Sequence, residues 1–314
     1  MIMKKILFSV VCLMMVGMQS VKAQVAIAAL HHNNAVTIYA AAQIQDAIDV
    51  SEPGDTLYLS EGIFGGFTVA KPIAIIGAGQ TTQISSDVTI GNIGGTLETG
   101  LLLSGANLLQ DLNFKYIIDG VRIMQCMIDG NCVFSGSYSE DSFSNMEILM
   151  SYIKGYLDLS PMIQGITVVG SKIGQVRDYA AGEGGSTFLN CNIGETYNSG
   201  TNANNNNYVN CIVGTIYRGV FSNCLYSNLP GNYGAVIHNS YKDTFTMPDN
   251  LDSPYTDEEL KTKGYLGTDD TVVGITGGQA PFSLVMPIVQ VTEHSLEVNQ
   301  AERKLKVSLK LGNK

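Results

Sequence analysis

Tryptophan is absent from the 314-residue chain, and charged residues make up only 15% of it. Glycine, by contrast, occurs 34 times. Few charges together with frequent glycine favour many short strands and turns over amphipathic helices. Beyond its first 18 residues the sequence also lacks any apolar run near the roughly 20 residues that a membrane-spanning helix needs. We therefore expect a β-rich chain without a membrane span.

The amino-terminal residues have the order of a secretory signal peptide. Two lysines lie within Met1–Lys5, an apolar run spans Ile6–Met18, and Val21-Lys22-Ala23 supplies small residues for a signal peptidase. The apolar run is too short to cross a bilayer. We predict a signal peptide over residues 1–23 and a secreted, periplasmic or outer-cell-surface location for the mature protein.

Basic residues are scarce in the predicted mature chain. Three of the 18 lysines and arginines lie in residues 1–23, so 15 remain against 28 acidic residues, for a net charge of −13. This negative charge argues against nucleic acid and anionic membranes as partners. It also makes a polyanionic glycan a poor fit.

A repeat of about 20 residues organises the middle of the chain. Its template reads apolar, any, Asn or similar, a small residue, any, aliphatic and Gly. The small residue, which we call the slot, recurs at Cys126, Ser151, Ser171, Cys191, Cys211 and Cys224, and Ile237–Ser240 keeps only the first half of the template. A period this short suits one coil of a β-solenoid, in which equivalent residues stack about 4.8 Å apart.

This stacking predicts an all-β fold, a single-stranded right-handed parallel β-helix over residues 51–250. An N-terminal extension with a cap helix (24–50) precedes it, and a C-terminal cap with tail strands (251–314) follows. The apolar positions three before and two after the slot would lie on opposite sides of one straight strand. A left-handed corner at the asparagine between them lets both point inward. One inward ladder should comprise Ile128, Ile153, Ile173, Ile193 and Val213, and corner amides that link coil to coil should belong to Asn190, Asn210, Asn223 and Asn239.

Five cysteines follow the predicted cleavage site: Cys126, Cys132, Cys191, Cys211 and Cys224. An odd number is compatible with disulfides plus one free thiol. Serine in the same slot of neighbouring coils instead favours free, stacked thiols, since cysteine also packs as a small apolar residue. Zinc is a weaker interpretation, because only Cys126 and Cys132 lie at close spacing. We predict no metal site and no cofactor; calcium remains possible, without a motif.

The ends of the repeat region carry their own signals. Gln43–Val50 predicts a cap helix with Ile44, Ala47 and Ile48 on one face, and short strands should follow at Thr56–Leu59, Phe67–Val69 and Ile73–Ile76. Thr256–Glu259 is a capping box that starts a second short helix, which Gly264 ends, on the C-terminal side. Lys304–Leu311 alternates strictly and predicts an edge strand packed on the solenoid or a small strand add-on, with a docking or export tail as the alternative.

One segment resembles a known superfamily. QIQDAIDVSEPGDTLYLSEGIFGGFTVAKPIAIIGAG, within residues 40–80, resembles the opening of right-handed β-helix proteins of the pectin-lyase-like superfamily, and residues 81–245 resemble their coils more loosely. TDDTVVGITGGQAPF resembles the C-terminal region of uncharacterised exported β-helix proteins of Bacteroidetes-type bacteria. The resemblance implies this fold and contact with polysaccharide. It does not imply one activity, because the fold serves lyases, hydrolases, adhesins and structural proteins.

The residues that such enzymes use are missing from the coils. Polygalacturonase-type hydrolases carry Asn-Thr-Asp, Asp-Asp, Gly-His-Gly and Arg-Ile-Lys elements, and here the Asp269-Asp270 pair lies beyond the coils. Calcium-dependent lyases need a cluster of acids and a base. The acids between residues 142 and 240 do not stack into a convincing cluster: Glu147, Asp158, Asp178, Glu183 and Glu195.

Aromatic and basic residues that follow the slot are the binding candidates. They are Arg177, Tyr179, Tyr197, Tyr217, Arg218 and Tyr226, with Tyr233 in a later loop. Tyrosine faces stack on sugar rings, and arginine donates to hydroxyls; ordinary tyrosines at strand ends and solvated arginines are the alternative. We predict an exported glycan-binding or surface-interaction module without demonstrable catalysis. A divergent polysaccharide lyase or glycoside hydrolase, and a structural scaffold, are the alternatives.

Overall fold

The computed structural model describes residues 25–135, 142–159, 163–178, 185–198, 206–231, 233–285, 289–299 and 304–313. Over these ranges the chain is a parallel β-solenoid of about eight turns, which confirms the predicted all-β class. No helix in the described ranges is long and apolar enough to span a membrane. The predicted signal peptide lies outside the described residues.

Short strands and two short helices make up the chain. The strands in the first half are β1 (Ile27–His32), β2 (Ala35–Ala40), β3 (Thr56–Leu59), β4 (Gly62–Phe64), β5 (Phe67–Val69), β6 (Ala74–Ile76), β7 (Thr82–Ile84), β8 (Val88–Ile93), β9 (Leu101–Ser104), β10 (Asn107–Leu108), β11 (Leu112–Met124), β12 (Met127–Ile128), β13 (Cys132–Ser135), β14 (Ser142–Leu149) and β15 (Tyr152–Leu159). The strands that follow are β16 (Ile163–Val169), β17 (Lys172–Asp178), β18 (Thr187–Leu189), β19 (Asn192–Asn198), β20 (Asn207–Val209), β21 (Ile212–Ile216), β22 (Gly219–Ser222), β23 (Leu225–Asn228), β24 (Ala235–His238), β25 (Tyr241–Lys242), β26 (Val289–Asn299) and β27 (Lys304–Asn313). The helices are a 3₁₀ turn (Ala41–Gln43), α1 (Ile44–Val50) and α2 (Asp257–Lys263).

The coils stack to form three faces, in each of which neighbouring strands pair in parallel. Face 1 contains β3, β6, β9, the second half of β11, β14, β16, β18, β20, β22 and β24. Face 2 contains β4, β7, β10, β12, the first halves of β15, β17, β19 and β21, and then β23 and β25. Face 3 contains β5, β8, the first half of β11, β13 and the second halves of β15, β17, β19 and β21.

A left-handed residue turns the chain from face 1 to face 2 in successive coils. These corner residues have φ between 44° and 63° and are Gly105, Gln125, Met150, Gly170, Asn190, Asn210, Asn223 and Asn239. Glycine and asparagine tolerate this region better than other residues. The predicted corner at the asparagine of the template is therefore confirmed.

The slot that follows each corner forms a hydrogen-bonded column in the core. The backbone N–H of Ser151 donates to Ser171 Oγ (3.1 Å), and that of Cys191 donates to Cys211 Sγ (3.5 Å). Each slot side chain also donates back to the carbonyl two residues earlier, as Ser171 Oγ does to Val169 O (2.9 Å). Serine and cysteine both fit because each is small and both donates and accepts.

All five cysteines in the described ranges are free and buried, which confirms stacked thiols over disulfides. Burial raises the pKa of the Cys126 thiol to about 12. It also holds the pKa of Cys132 and of Cys211 well above the usual range. A thiol that keeps its proton is a poor nucleophile. Since all five are also buried, we interpret these thiols as packing groups of the core.

Apolar side chains stack along the interior. The register confirms the predicted ladder of fully buried residues, Ile128, Ile153, Ile173, Ile193 and Val213. Beside it the aromatic rings of Phe188, Tyr208 and Phe221 are stacked, with centroids 4.8 Å and 4.6 Å apart. These separations match the rise of about 4.8 Å from one coil to the next.

A hairpin and a helix close the amino-terminal end. β1 pairs antiparallel with β2 and with β3, a hairpin that the repeat pattern did not predict. The predicted cap helix is present as α1, and it buries Ile44, Ala47 and Ile48 as expected. Lys71 Nζ donates to three carbonyl oxygens at the end of α1, at 2.6 to 3.2 Å. It thereby satisfies acceptors that a helix C-terminus leaves open.

Asp55 connects this hairpin to the first coil. Its Oδ1 lies 2.9 Å from His32 Nδ1, and its Oδ2 accepts from the N–H of Glu52 at 2.8 Å. The hydrogen bond to Asp55 raises the pKa of His32 above 6.5, although partial burial works against it. Burial acts to raise the pKa of Asp55, but the bonds from Glu52 and His32 outweigh it and lower that pKa. Asp55 therefore joins the hairpin to the first coil, as Lys71 joins α1 to it.

Residues 243–285, which we call the strap, run back along face 2 from the last coils. The N–H of Ile275 donates to Asn192 Oδ1 (3.2 Å), and Gln125 Nε2 donates to the carbonyl of Ser283 (3.2 Å). At the corner, Asn210 Oδ1 accepts from Thr268 N–H at 2.9 Å. This corrects one expectation, because the described hydrogen bonds of the Asn210 amide go to the strap and not to the neighbouring coil.

Helix α2 belongs to the strap. Thr256 and Glu259 form the predicted capping box, and Gly264, with φ of 74°, is the left-handed C-cap. Leu260 is buried against Ile212 and Leu225, which point outward from face 2. The predicted second helix is confirmed; it lies beside the outer surface of the last coils.

Asp243 anchors α2 to the solenoid. Its Oδ2 accepts from Lys263 Nζ (2.9 Å) and from the hydroxyls of Tyr255 (2.9 Å) and Tyr265 (3.0 Å). These bonds, of which that from Lys263 is the strongest, hold the pKa of Asp243 far below its usual range.

The tail strand belongs to a small sheet of its own. The alternating segment is a strand, β27, as expected, and it pairs antiparallel with β26 in a separate two-stranded sheet. Of the two structural alternatives, this pairing agrees with a small strand add-on.

Candidate functional site

Face 3 brings three predicted residues into one outward row. Arg177, Tyr197 and Tyr217 each lie six residues after their slots. The register sets Arg177 directly opposite Tyr197, and Tyr217 follows the end of β21 in the next coil. The residues just before them, Val176, Thr196 and Ile216, are buried in the core. Since side chains alternate along a strand, the row lies on the outer surface.

The tyrosine rings of this row are in contact. The ring centroids of Tyr197 and Tyr217 are 6.1 Å apart with an interplanar angle of 71°, and those of Tyr217 and Tyr233 are 5.5 Å apart at 52°. Tyr197 is 38% exposed and Tyr233 is 49% exposed. We call Tyr197, Tyr217 and Tyr233 the tyrosine row. Its rings lie at different tilts over three successive coils.

Polar side chains border the tyrosine row on the same face. Gln175 Nε2 donates to Glu195 Oε2 at 2.8 Å, and the Tyr217 hydroxyl is hydrogen-bonded to Glu195. Partial burial, followed by the charge of Glu195 and this bond, raises the pKa of Tyr217 above 10. The Tyr217 hydroxyl therefore keeps its proton at neutral pH.

Arg177 is held in place at one end of the tyrosine row. Its guanidinium carbon lies 3.7 Å from the centroid of the Tyr156 ring, and its Nε donates to Gln175 Oε1. Stacking on a ring orients the guanidinium plane and leaves its remaining N–H groups as directional donors. This end of the row thus offers fixed donors beside aromatic rings.

The other predicted site residues lie elsewhere. Tyr179 lies outside the described residues. Arg218 is half-buried in the turn between β21 and β22. Tyr226 is only 8% exposed and packs in the core, in register with Val213. This corrects its assignment to the surface: Tyr226 stands two residues after its slot, the position that points inward in every matching coil.

Three residues of this surface were not predicted as part of the site: Tyr156, Gln175 and Glu195. The repeat could have predicted that two of them are neighbours, because Gln175 and Glu195 both lie four residues after a slot and pair in register. The position of Tyr156 does not follow the 20-residue interval, because the register shifts between Ile153 and Tyr156.

The two carboxylates of this surface come from coils that are not adjacent. Asp158 is in register with Arg177, and Glu195 with Gln175, so the two acids lie two coils apart and two positions out of line. Their Cα atoms are therefore about 12 Å apart. Glycosidases place their two carboxyl groups about 5 to 9.5 Å apart, so these two side chains would have to lean toward each other to flank one glycosidic bond. Among the described residues there is no group of three or more His, Cys, Asp or Glu that could hold a metal ion.

No protein-family model, no curated protein and no solved structure matches this chain. The function is therefore inferred from the chemistry of the surface itself.

Proposed function

We propose that this chain is an exported carbohydrate-binding protein of the pectin-lyase-like β-helix type, whose tyrosine row binds a neutral polysaccharide. The observation that carries the proposal is the contact of three tyrosine rings from successive coils, at 6.1 Å and 5.5 Å. A solenoid repeats equivalent residues along its axis. A polysaccharide likewise repeats one unit along its chain, so a row of rings suits it.

The polar partners of the row favour a neutral ligand. Each ring buries the C–H face of a sugar, while the Tyr217 hydroxyl, the Gln175 amide and the Arg177 guanidinium hydrogen-bond to hydroxyls. Arg177 is the one cation in this set, and Glu195 lies beside it. With a net charge of −10 for the whole chain, a polyanion would be repelled.

Export rests on residues 1–23, which have the order of a signal peptide. Expression of the full chain in a Gram-negative host, followed by mass spectrometry of the amino terminus, tests it. A mature form that begins at Gln24 outside the cytoplasm is expected. An uncleaved cytoplasmic chain would contradict export and leave the binding proposal standing.

Binding is tested with the purified mature protein against immobilised neutral and acidic polysaccharides, by affinity electrophoresis and calorimetry. In the double variant Tyr197→Ala/Tyr217→Ala, two aromatic contacts of about 1 kcal/mol each are lost, so affinity should fall about 30-fold. Tyr58→Ala is the matched control, because Tyr58 is 44% exposed but lies on face 1. Retention unchanged in the double variant would contradict the tyrosine row.

The same incubations separate binding from catalysis. Reducing ends and unsaturated products are measured over time for each polysaccharide retained. We expect none above the blank, since Asp158 and Glu195 lie two coils apart and their side chains would have to lean toward each other to flank one glycosidic bond. Turnover that Arg177→Ala abolishes would instead establish a lyase or a hydrolase.

A further inference from the structure

A cavity of about 390 Å³ lies between the strap and the corners of two coils. Its floor contains the corner residues Asn190 and Asn210, and its outer side is formed by strap residues 268–269 and 277–280. It is distinct from the tyrosine row, because it lies at the corner between faces 1 and 2 and the row lies on face 3. Its volume is within the range of small-ligand sites.

Asn190 distinguishes this cavity from simple packing between strap and coil. Its side chain is only 3% exposed, and its Nδ2 has no hydrogen-bond partner. The other two asparagines beneath the strap are paired at both amide atoms. Asn210 bonds the N–H and hydroxyl of Thr268, and Asn192 bonds the N–H of Ile275 and the carbonyl of Leu251. A buried N–H without an acceptor is rare in folded proteins.

The lining indicates the class of molecule that would supply the acceptor. Half-buried Val169 and Leu189 form an apolar side. On the rim, Asp269 Oδ1 accepts from Thr271 (2.8 Å from its hydroxyl), so the carboxylate is oriented, and the Gln279 amide is exposed. The lining contains no lysine, arginine or histidine to neutralise an anion.

We propose that this cavity binds a single neutral sugar ring or a similar polyol. One hydroxyl oxygen accepts from Asn190 Nδ2, neighbouring hydroxyls donate to the Asp269 carboxylate, and the C–H face of the ring lies against Val169 and Leu189. Planar amides and carboxylates that converge over an apolar wall are the groups that fix a polyhydroxyl ligand. This inference goes beyond the tyrosine row and does not depend on it.

The test uses the whole mature protein and a panel of small probes. Neutral hexoses and hexitols are screened by saturation-transfer NMR and calorimetry, with glucuronate and glucosamine as charged comparisons. Asn190→Gly removes the amide and keeps the corner, because Gly170 occupies the equivalent corner of the preceding coil with φ of 55°. A loss of at least tenfold in affinity for the neutral probe is expected, and Gln279→Ala should weaken binding from the exposed rim.

Two controls make the result specific. Asn239→Gly changes an exposed corner outside the cavity and should leave probe binding unaltered. Tyr197→Ala/Tyr217→Ala should also bind the probe normally, which separates this site from the tyrosine row. The proposal is overturned if no neutral probe binds, if glucuronate binds better than the neutral probes, or if Asn190→Gly binds as the wild type does. A crystal structure soaked with the probe that shows only water on Asn190 would overturn it as well.

Discussion

Substitution of the corner residue Asn210 separates two contributions to stability that the structure places at one residue. Asn210 has φ of 54°, and its amide bonds Thr268 of the strap at 2.9 Å and 3.3 Å. Asn210→Ala puts a side chain with a Cβ but no compensating polar group into the left-handed region, at a cost of about 1 to 2 kcal/mol. Loss of the two hydrogen bonds adds about 1 kcal/mol each. We expect a total of about 3 to 4 kcal/mol.

Two further variants divide that total. Asn210→Gly relieves the backbone and loses only the hydrogen bonds, so about 2 kcal/mol is expected. Asn239→Ala keeps a left-handed corner, with φ of 44°, at an exposed residue, so only the backbone cost of about 1 kcal/mol is expected. The expected order of destabilisation is therefore Asn210→Ala, then Asn210→Gly, then Asn239→Ala.

Equilibrium unfolding in urea, followed by far-UV circular dichroism, measures these differences. Equal m-values across the series are required before midpoints are compared. If Asn210→Gly destabilises as much as Asn210→Ala, the left-handed corner does not carry the backbone cost. If Asn210→Ala and Asn239→Ala are equal, the hydrogen bonds to the strap contribute nothing.

Two other outcomes follow from the buried thiols and from the amino-terminal hairpin. In the mature chain, which lacks Cys12, the five buried cysteines should resist a thiol reagent at pH 8 in the native state, since burial raises the pKa of Cys126 to about 12. Denaturation without reductant should expose five thiols, and fewer than five would show disulfides. The contact between His32 and Asp55 raises the pKa of His32 and lowers that of Asp55. The stabilisation from this contact should be fully present between pH 3.8 and pH 6.5. It should be lost as the pH rises through the raised pKa of His32, and also as the pH falls through the lowered pKa of Asp55. The melting temperature should therefore differ most between wild type and His32→Ala near pH 5.5, and a difference that is constant from pH 5 to 8 would exclude the contact.

The slot column explains why serine and cysteine alternate along one solenoid. Each slot side chain accepts from the backbone N–H of the slot residue in the preceding coil and donates to the carbonyl two residues back, as Ser151 and Cys211 both do. Alanine would fit the space but would leave the backbone N–H of the coil before it without that acceptor. The requirement is for a small group that both accepts and donates, and disulfide chemistry is not involved.

The strap explains the glycines of the segment TDDTVVGITGGQAPF. A Cβ on Gly278 would lie 2.9 Å from Cγ of Asn190, and one on Gly274 would lie 2.5 Å from Oδ1 of Asn192. Close approach of the strap backbone to these amides thus requires glycine. The glycines are evident in the sequence, but the surface against which they pack cannot be predicted from it.

The period and the alternation of side chains determined the coil. Because each coil contacts mainly the next one, the interval of 20 residues between Ser171, Cys191 and Cys211 was enough to predict the stacked slots, the inward ladder and the asparagine corners. Position in the repeat also outweighs residue type: Tyr226 occupies the inward position and is buried, although tyrosine suggested a surface role.

The tertiary structure alone decided what covers the coils. Asn210 meets Thr268 across 58 residues of sequence, and Gln125 meets Ser283 across 158, and no periodicity relates the members of either pair. The burial of Ile212 and Leu225 under α2, and the cavity at Asn190, both depend on these contacts. A repeat specifies its own neighbours through local stacking, whereas the strap is positioned by single, non-repeating hydrogen bonds and apolar contacts that exist only once the chain has folded.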